Sequence, residues 1–197
     1  MAITRYRVEG RLEGAAAEAV RRGLKRNMIA EIDSEAQDVS IGWTSFESPY
    51  FPSFEGSSFL FGSLFVFSLR IDRKSVSPKL IRKHLSIAAA ERLIKTKKQF
   101  LSKDDKTALK EKVMRDLLVR VPSTPSIYDI IWDYENASLL FFTNLRAANE
   151  QIETLFKRSF NLGLIRIFPF SAADGLAGLT DAERDILIGL SSTPFSS

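Results

Sequence analysis

The sequence predicts an α+β protein: two small lobes of mixed or antiparallel sheet with helices on one face, and a basic helical hairpin protruding between them. Three observations predict it. Stretches in which apolar and polar residues alternate with a period of two fall into two groups, one before residue 73 and one after residue 126. Each group carries one amphipathic helical pattern beside its strands, the arrangement of a sheet with helices segregated to one face. Between the groups lie two consecutive helical patterns dense in Lys and Arg. The predicted organisation is therefore an N-terminal lobe at 1–76, a basic helical arm at 77–122, a second lobe at 123–190 and a frayed tail at 191–197.

In chain order, Ile3 to Glu9 alternates as a half-buried strand, with Thr4, Tyr6 and Val8 on one side, and Gly10 ends it. Glu13 to Arg26 is an Ala-rich helix whose apolar side is Ala16, Ala19, Val20 and Leu24, with Gly23 as a weak point. Val39 to Trp43 is a second strand. Glu47 to Ser58, with Pro49, Pro52, Gly56 and four Ser, is a loop. Leu60 to Asp72 reads as one long strand, with Phe65, Phe67, Leu69 and Ile71 on one face and an apolar start on both faces.

The arm opens at Pro78, a favoured first helical residue. The pattern runs to about Gln99, and Ile81, Leu85, Ala88, Ala89, Leu93 and Phe100 form its apolar stripe. Ser102 is a helix N-cap, with Asp104 and Asp105 in the first turn, where acids suit the exposed amides. In the helix that follows, Leu109, Val113 and Leu117 recur every fourth residue. Lys103, Lys106 and Lys110 lie on that same side one or two turns earlier, so the distal part of the hairpin points charge where the proximal part points carbon.

After Pro122 and Pro125, Ile127 to Asp133 and Ala137 to Phe142 are strands joined by a turn at Asp133 to Asn136. The continuous run Leu139 to Phe142 marks the second as central. Asn144 caps a helix with a wide stripe of Leu145, Ala148, Ile152, Leu155, Phe156 and Phe160. Leu164 to Phe168 is a further strand. Thr180 and Glu183 form a capping box at the start of a short last helix. The fifteen Phe residues concentrate in the strands and read as sheet core.

Charge placement is the informative part of the composition. The formal net charge is +4, yet the window from Lys79 to Arg120 holds 13 Lys or Arg against five acids, 13 − 5 = +8, leaving 4 − 8 = −4 for the remainder. A basic segment on a mildly acidic body suits a polyanionic partner such as DNA. Nine of the thirteen are Lys and four are Arg, which favours contact with the phosphate backbone over bidentate reading of bases. The candidate nucleic-acid-binding residues are Lys79, Arg82, Lys83, Lys95, Lys97, Lys98, Lys103, Lys106, Lys110, Arg115 and Arg120.

Several chemistries lack their residues. Without Cys there is no disulfide, thiolate nucleophile or Cys-based metal site, and one His, His84, builds no typical zinc site. No P-loop, nucleophile elbow, metalloprotease or dinucleotide motif occurs, so no cofactor is expected. A two-metal nuclease would draw on Asp72, Asp129, Asp133 and Glu135, but Asp133 and Glu135 sit in a predicted turn, where acids serve as turn formers. No catalytic or metal site is expected. Neither a secretory leader at Met1 to Tyr6 nor a membrane span is read, since the most apolar stretch, Phe59 to Leu69, is short and broken by Gly62 and Ser63.

Taken in order, Ile41-Gly42-Trp43, Ser77 to Lys83, Leu101 to Val113, Leu117 to Arg120 and Trp132-Asp133 resemble the RdgC family of recombination-associated DNA-binding proteins. The likeness spans roughly residues 3–170 and is densest from Ser77 to Asp133. It implies an α+β homodimer, closed into a ring around double-stranded DNA, that binds with little sequence preference and limits access of the RecA recombinase. It also implies a cytoplasmic, nucleoid-associated location. Some relatives are named exonucleases, so an exonuclease is one alternative. A protein-interaction module built on the helical hairpin is another. The chain departs from the family at Val119-Arg120-Val121-Pro122, where relatives carry a Pro-Arg-Ala-Phe run, and relatives continue beyond residue 197.

Overall fold

The computed structural model of the chain describes residues 2–97, 99–168, 172–173 and 178–190. In chain order the strands are β1 (Thr4–Glu9), β2 (Val39–Thr44), β3 (Leu60–Phe61), β4 (Leu64–Arg73), β5 (Thr124–Asp133), β6 (Ser138–Phe141) and β7 (Gly163–Arg166). The helices are α1 (Ala16–Arg26), α2 (Pro78–Thr96), α3 (Lys103–Leu118), α4 (Arg146–Phe160) and α5 (Asp181–Gly189). The α+β class is as the sequence predicts.

The strands form one seven-stranded sheet in the order β2-β4-β5-β6-β1-β7, with β3 on β4, instead of two separate sheets. The reason lies in β4 and β5. Each is ten residues long, about 33 Å of extended chain, and each contributes residues to both of the compact units into which the chain divides. Those units are discontinuous: Met1–Gly23, Phe59–Phe67 and Asp129–Ser197 form one, and Leu24–Ser58 and Ser68–Tyr128 form the other.

In the first unit, β1 pairs antiparallel with β6 on one side and β7 on the other, and β6 pairs antiparallel with β5. The central position expected for the Leu139 run follows. Tyr6 and Val8 point inward while Arg5 and Arg7 stay in solvent, as the alternation requires. Helix α4 buries Ala148, Ile152, Leu155, Phe156 and Phe160. The rings of Phe156 and Phe160 meet Trp132 with centroids 4.9 and 5.3 Å away, separations at which edge-to-face contacts add to simple burial. Leu145 is not part of that stripe. It is the N-cap and is exposed, and Thr143, not Asn144, supplies a side-chain acceptor there, taking the Leu145 N–H at 3.2 Å.

The predicted strand from Leu60 to Asp72 is a strand from Leu64 onward, as expected, but its first residues form a tight hairpin, with β3 turned back on β4. Gly62 adopts a left-handed φ of 63°, and Leu60 returns opposite Phe65. Such a φ comes at no steric cost only to glycine. Gly23 inside α1 has a packing reason. A Cβ there would lie 2.4 Å from the Phe160 ring and 2.8 Å from the Ser159 carbonyl oxygen.

A polar network, buried at its Tyr6 and Asn149 end, joins β1, α4 and β7 in this unit. The fully buried Tyr6 hydroxyl donates to Asn149 Oδ1 at 2.5 Å and lies 3.0 Å from Glu153 Oε1, which also accepts from Arg166 Nε at 2.6 Å. Burial, and then the neighbouring Glu153 carboxylate, push the Tyr6 phenol far above its ordinary value.

In the second unit, β2 lies antiparallel to β4, with Trp43 opposite Leu69 and Gly42 opposite Arg70. Gly42 lets the segment before β2 approach. A Cβ there would meet the Ile29 backbone at 2.4 Å, where Ile29 N–H bonds the Trp43 carbonyl at 3.0 Å. The second face of β4 turns polar and buried as it proceeds, through Ser68, Arg70 and Asp72. Arg70 clasps Asp72, stacks 5.5 Å from the Tyr50 ring centre and donates to the Pro49 carbonyl at 3.3 Å.

Lys74, just past β4, is also buried, and its ammonium donates to three backbone carbonyls, Asp33 at 3.0 Å, Glu35 at 2.8 Å and Leu118 at 2.7 Å. The C-terminal end of α3 is thereby tied to the 33–35 loop. Ser123 adds a second tie, giving both its backbone N–H and its hydroxyl to Asp33 Oδ1 at 2.7 Å.

Candidate nucleic-acid interface

Helices α2 and α3 pack against each other as a hairpin within the second unit. α2 starts at Pro78, which needs no amide hydrogen at that position. It stops at Thr96, because Lys97 takes a left-handed φ of 51° and turns its N–H back to the Ile94 carbonyl. The helix is thus three residues shorter than the sequence pattern predicts. The consequence falls on Phe100, which leaves the apolar stripe assigned to it and stands 82% exposed.

α3 restarts as expected. The Ser102 hydroxyl accepts the Asp105 N–H at 3.1 Å and meets the Asp105 carboxylate at 2.8 Å. Near the turn, Arg92 reaches across to Asp105 at 3.6 Å. Val113 and Leu117 are the buried residues of α3, whereas α2 buries none completely.

Every described candidate cation is exposed: Lys79, Arg82, Lys83, Lys95, Lys97, Lys103, Lys106, Lys110, Arg115 and Arg120. Lys98 lies outside the described residues. Among the described residues none of these ten forms an ion pair with a carboxylate. Their placement is not uniform. At about 100° per residue, Lys103, Lys106 and Lys110 occupy an arc of about 60° on α3. That arc faces the side on which Val113 and Leu117 are buried two turns later, and its exposure shows that the distal part of that side is uncovered. Lys79, Arg82 and Lys83 likewise share an arc of about 100° on α2.

Two others sit among acids. Lys95 lines a groove of about 360 Å³ between the helices together with Arg92, Lys112, Glu91, Asp105 and Asp116, three cations against three anions. Arg120 lines a smaller groove of about 190 Å³ with His84, Glu91 and Asp116. Arg115 stands on a different face of α3 from the Lys103 group. The structure therefore assembles two cation arcs and leaves Lys95, Lys97, Arg115 and Arg120 outside them.

Two of the four carboxylates considered for a metal centre do other work. Asp72 is locked onto Arg70, and Asp133 accepts the Asn136 backbone N–H at 3.0 Å and its amide at 2.8 Å, which hold its carboxyl below the usual range. Among the described residues no three His, Cys, Asp or Glu come together as a metal-holding group. Nor is any described helix long and apolar enough to cross a membrane.

The fold and this surface define an α+β protein that presents a cation-studded helical hairpin. No family model matches the chain, and none of the curated proteins matches it.

What the sequence does not reveal is the pair of buried cations, Arg70 and Lys74, the second of which ties the C-terminal end of α3 to the 33–35 loop. Alternation places Arg70 and its main acceptor Asp72 on the second face of the same strand, but the Pro49 carbonyl and Glu31 that complete its surroundings come from residues distant in sequence. The exposure of Phe100 is hidden because the helical period continues through Lys97 to Gln99 even though the helix does not.

Proposed function

We propose that this chain binds double-stranded DNA without reading its sequence, through the Lys103, Lys106 and Lys110 arc and the Lys79, Arg82 and Lys83 arc of the α2–α3 hairpin. One observation carries the reading: these cations are all exposed, and among the described residues none is engaged by a carboxylate. Holding like charges together on one hairpin raises their mutual repulsion, and a polyanion relieves it. Each phosphate contact displaces condensed counterions, which makes binding entropic and independent of base order. In keeping with the resemblance, the bound protein would act as a nucleoid-associated homodimer that limits recombinase access to the duplex.

Binding of a duplex of arbitrary sequence across a salt series tests this. Wild type gives a linear fall of log affinity with log salt, the same for unrelated sequences. Replacing Lys103, Lys106 and Lys110 by Ala lowers the slope by roughly three contacts, at about 0.9 per contact. Equal slopes for the two proteins overturn the reading. Sedimentation in the same buffers reports the homodimer, and strand-exchange assays with the recombinase report the antagonism.

A second reading has its own observation. Ile87 and Ile94, seven residues apart along one side of α2, are 47% and 77% exposed. An apolar pair of that spacing suits a hairpin that docks a protein partner. Ile87→Ser/Ile94→Ser separates the two, since DNA binding is untouched by it while partner docking is lost.

A further inference from the structure

We infer that Phe100 is a base-stacking residue, so that the hairpin tip prefers DNA with unpaired bases over continuous duplex. The inference rests on the DNA-binding reading and adds to it the form of DNA that the tip selects.

A phenylalanine side chain left in water forgoes the gain that burial would bring, and here the ring is 82% exposed. The exposure comes from how the tip is built. α2 ends at the left-handed Lys97, α3 begins at the Ser102 cap, and the Arg92–Asp105 pair holds the two ends together across the turn. Phe100 sits between these fixed points, at the end of the hairpin farthest from the Lys74 tie.

Its neighbours supply the second half of the site. Lys97, Lys103 and Lys106 flank it in sequence, all exposed and, among the described residues, none paired with a carboxylate. An aromatic face beside such cations is the pairing that holds single strands: the cations take the backbone while the ring takes a base of any identity. In an intact duplex the bases are already stacked on each other, and the ring has no free face to meet. A gap, a frayed end or a junction offers one. The choice of ligand is thereby set by chemistry, a polyanion that also carries unstacked aromatic surface.

The test compares wild type, Phe100→Ala and Phe100→Trp on an intact duplex and on the same duplex with a short single-stranded gap containing 2-aminopurine. Wild type and Phe100→Trp bind the gapped DNA about ten-fold more tightly than the duplex, the effect of one stacked base, and shift the 2-aminopurine fluorescence. Phe100→Ala loses both the preference and the shift while holding the duplex as wild type does. Because the ring is exposed, the variant keeps its far-ultraviolet circular dichroism. If wild type binds duplex but shows no preference for the gap, or if Phe100→Ala keeps the preference, the stacking role is overturned and the phosphate-binding reading stands. If wild type binds neither DNA, both fall.

Discussion

Arg70 and Asp72, two residues apart on the same face of β4, form a two-pronged ion pair, Nε to Oδ1 at 2.7 Å and Nη2 to Oδ2 at 2.5 Å, with 5% and 0% of their surfaces exposed. The second guanidinium edge reaches Glu31 at 3.3 Å, but that carboxylate is largely in solvent. Removing Asp72 alone strands a cation in the interior. Asp72→Ala is expected to cost about 3–5 kcal/mol, read from the urea midpoint. The double variant Arg70→Met/Asp72→Leu is expected to regain most of it. A single variant within about 1 kcal/mol of wild type would show that solvent reaches Arg70.

The pH dependence of stability has two limbs with opposite signs. Hydrogen bonds from the Ser123 backbone and hydroxyl hold Asp33 below the ordinary carboxyl value. Its contribution is therefore present above the unfolded carboxyl value near 4 and is lost as pH falls through the folded one. Tyr6 lies on the other side: burial raises its phenol, so that contribution is complete below the ordinary value near 10 and is lost as pH rises beyond it. Thermal midpoints should thus fall at both extremes. Asp33→Asn flattens the acid limb alone and Tyr6→Phe the alkaline limb alone. A Tyr6→Phe protein that still loses stability above pH 10 as wild type does would assign that limb to another group.

Two glycines are held by close approach, and they differ in what stands opposite. At Gly42 the obstacle is the Ile29 backbone, whereas at Gly23 it is mainly the Phe160 ring, which can tilt. Both alanine variants are overpacked, at about 1–3 kcal/mol or more. Gly42→Ala is expected to be the more destabilising, because moving Ile29 also breaks its bond to Trp43. Calorimetric midpoints in the reverse order would refute that ranking.

Within the hairpin, cations are not interchangeable. Lys106 stands in the open Lys arc, while Lys95 shares its groove with Glu91, Asp105 and Asp116. Lys106→Ala is expected to lower the salt slope of duplex binding by one contact, about 0.9 units, and Lys95→Ala by less than half of that. Equal losses would mean that the groove's acids do not screen Lys95.

Much of the element pattern is legible because it depends on local rules. The Ser102 and Thr180 caps, the inward side of β1 and the stripe of α4 all follow from residues within a few positions of one another. Errors arise where distant contacts decide. A period of two runs unbroken through Gly62 and Ser63, yet the left-handed Gly62 folds it into a hairpin. Two groups of strands separated by the arm point to two lobes with a sheet each. One sheet forms because β4 of the first group and β5 of the second are neighbours in it. For the interface, sequence marks the cations correctly as surface residues, since charge on a helical face seldom hides. It does not say which of them share a groove with acids, because that depends on how α2 and α3 mesh.

Lys74 carries a further consequence. Its charge is met by the oxygen ends of three peptide dipoles, and a buried contact of that kind is little weakened by dissolved ions. Ionic strength high enough to strip phosphates from the surface lysines therefore leaves the root of the helical pair anchored. Protein released from DNA by salt should come away folded and ready to rebind on dilution, so that release is a reversible change of partner with no loss of architecture.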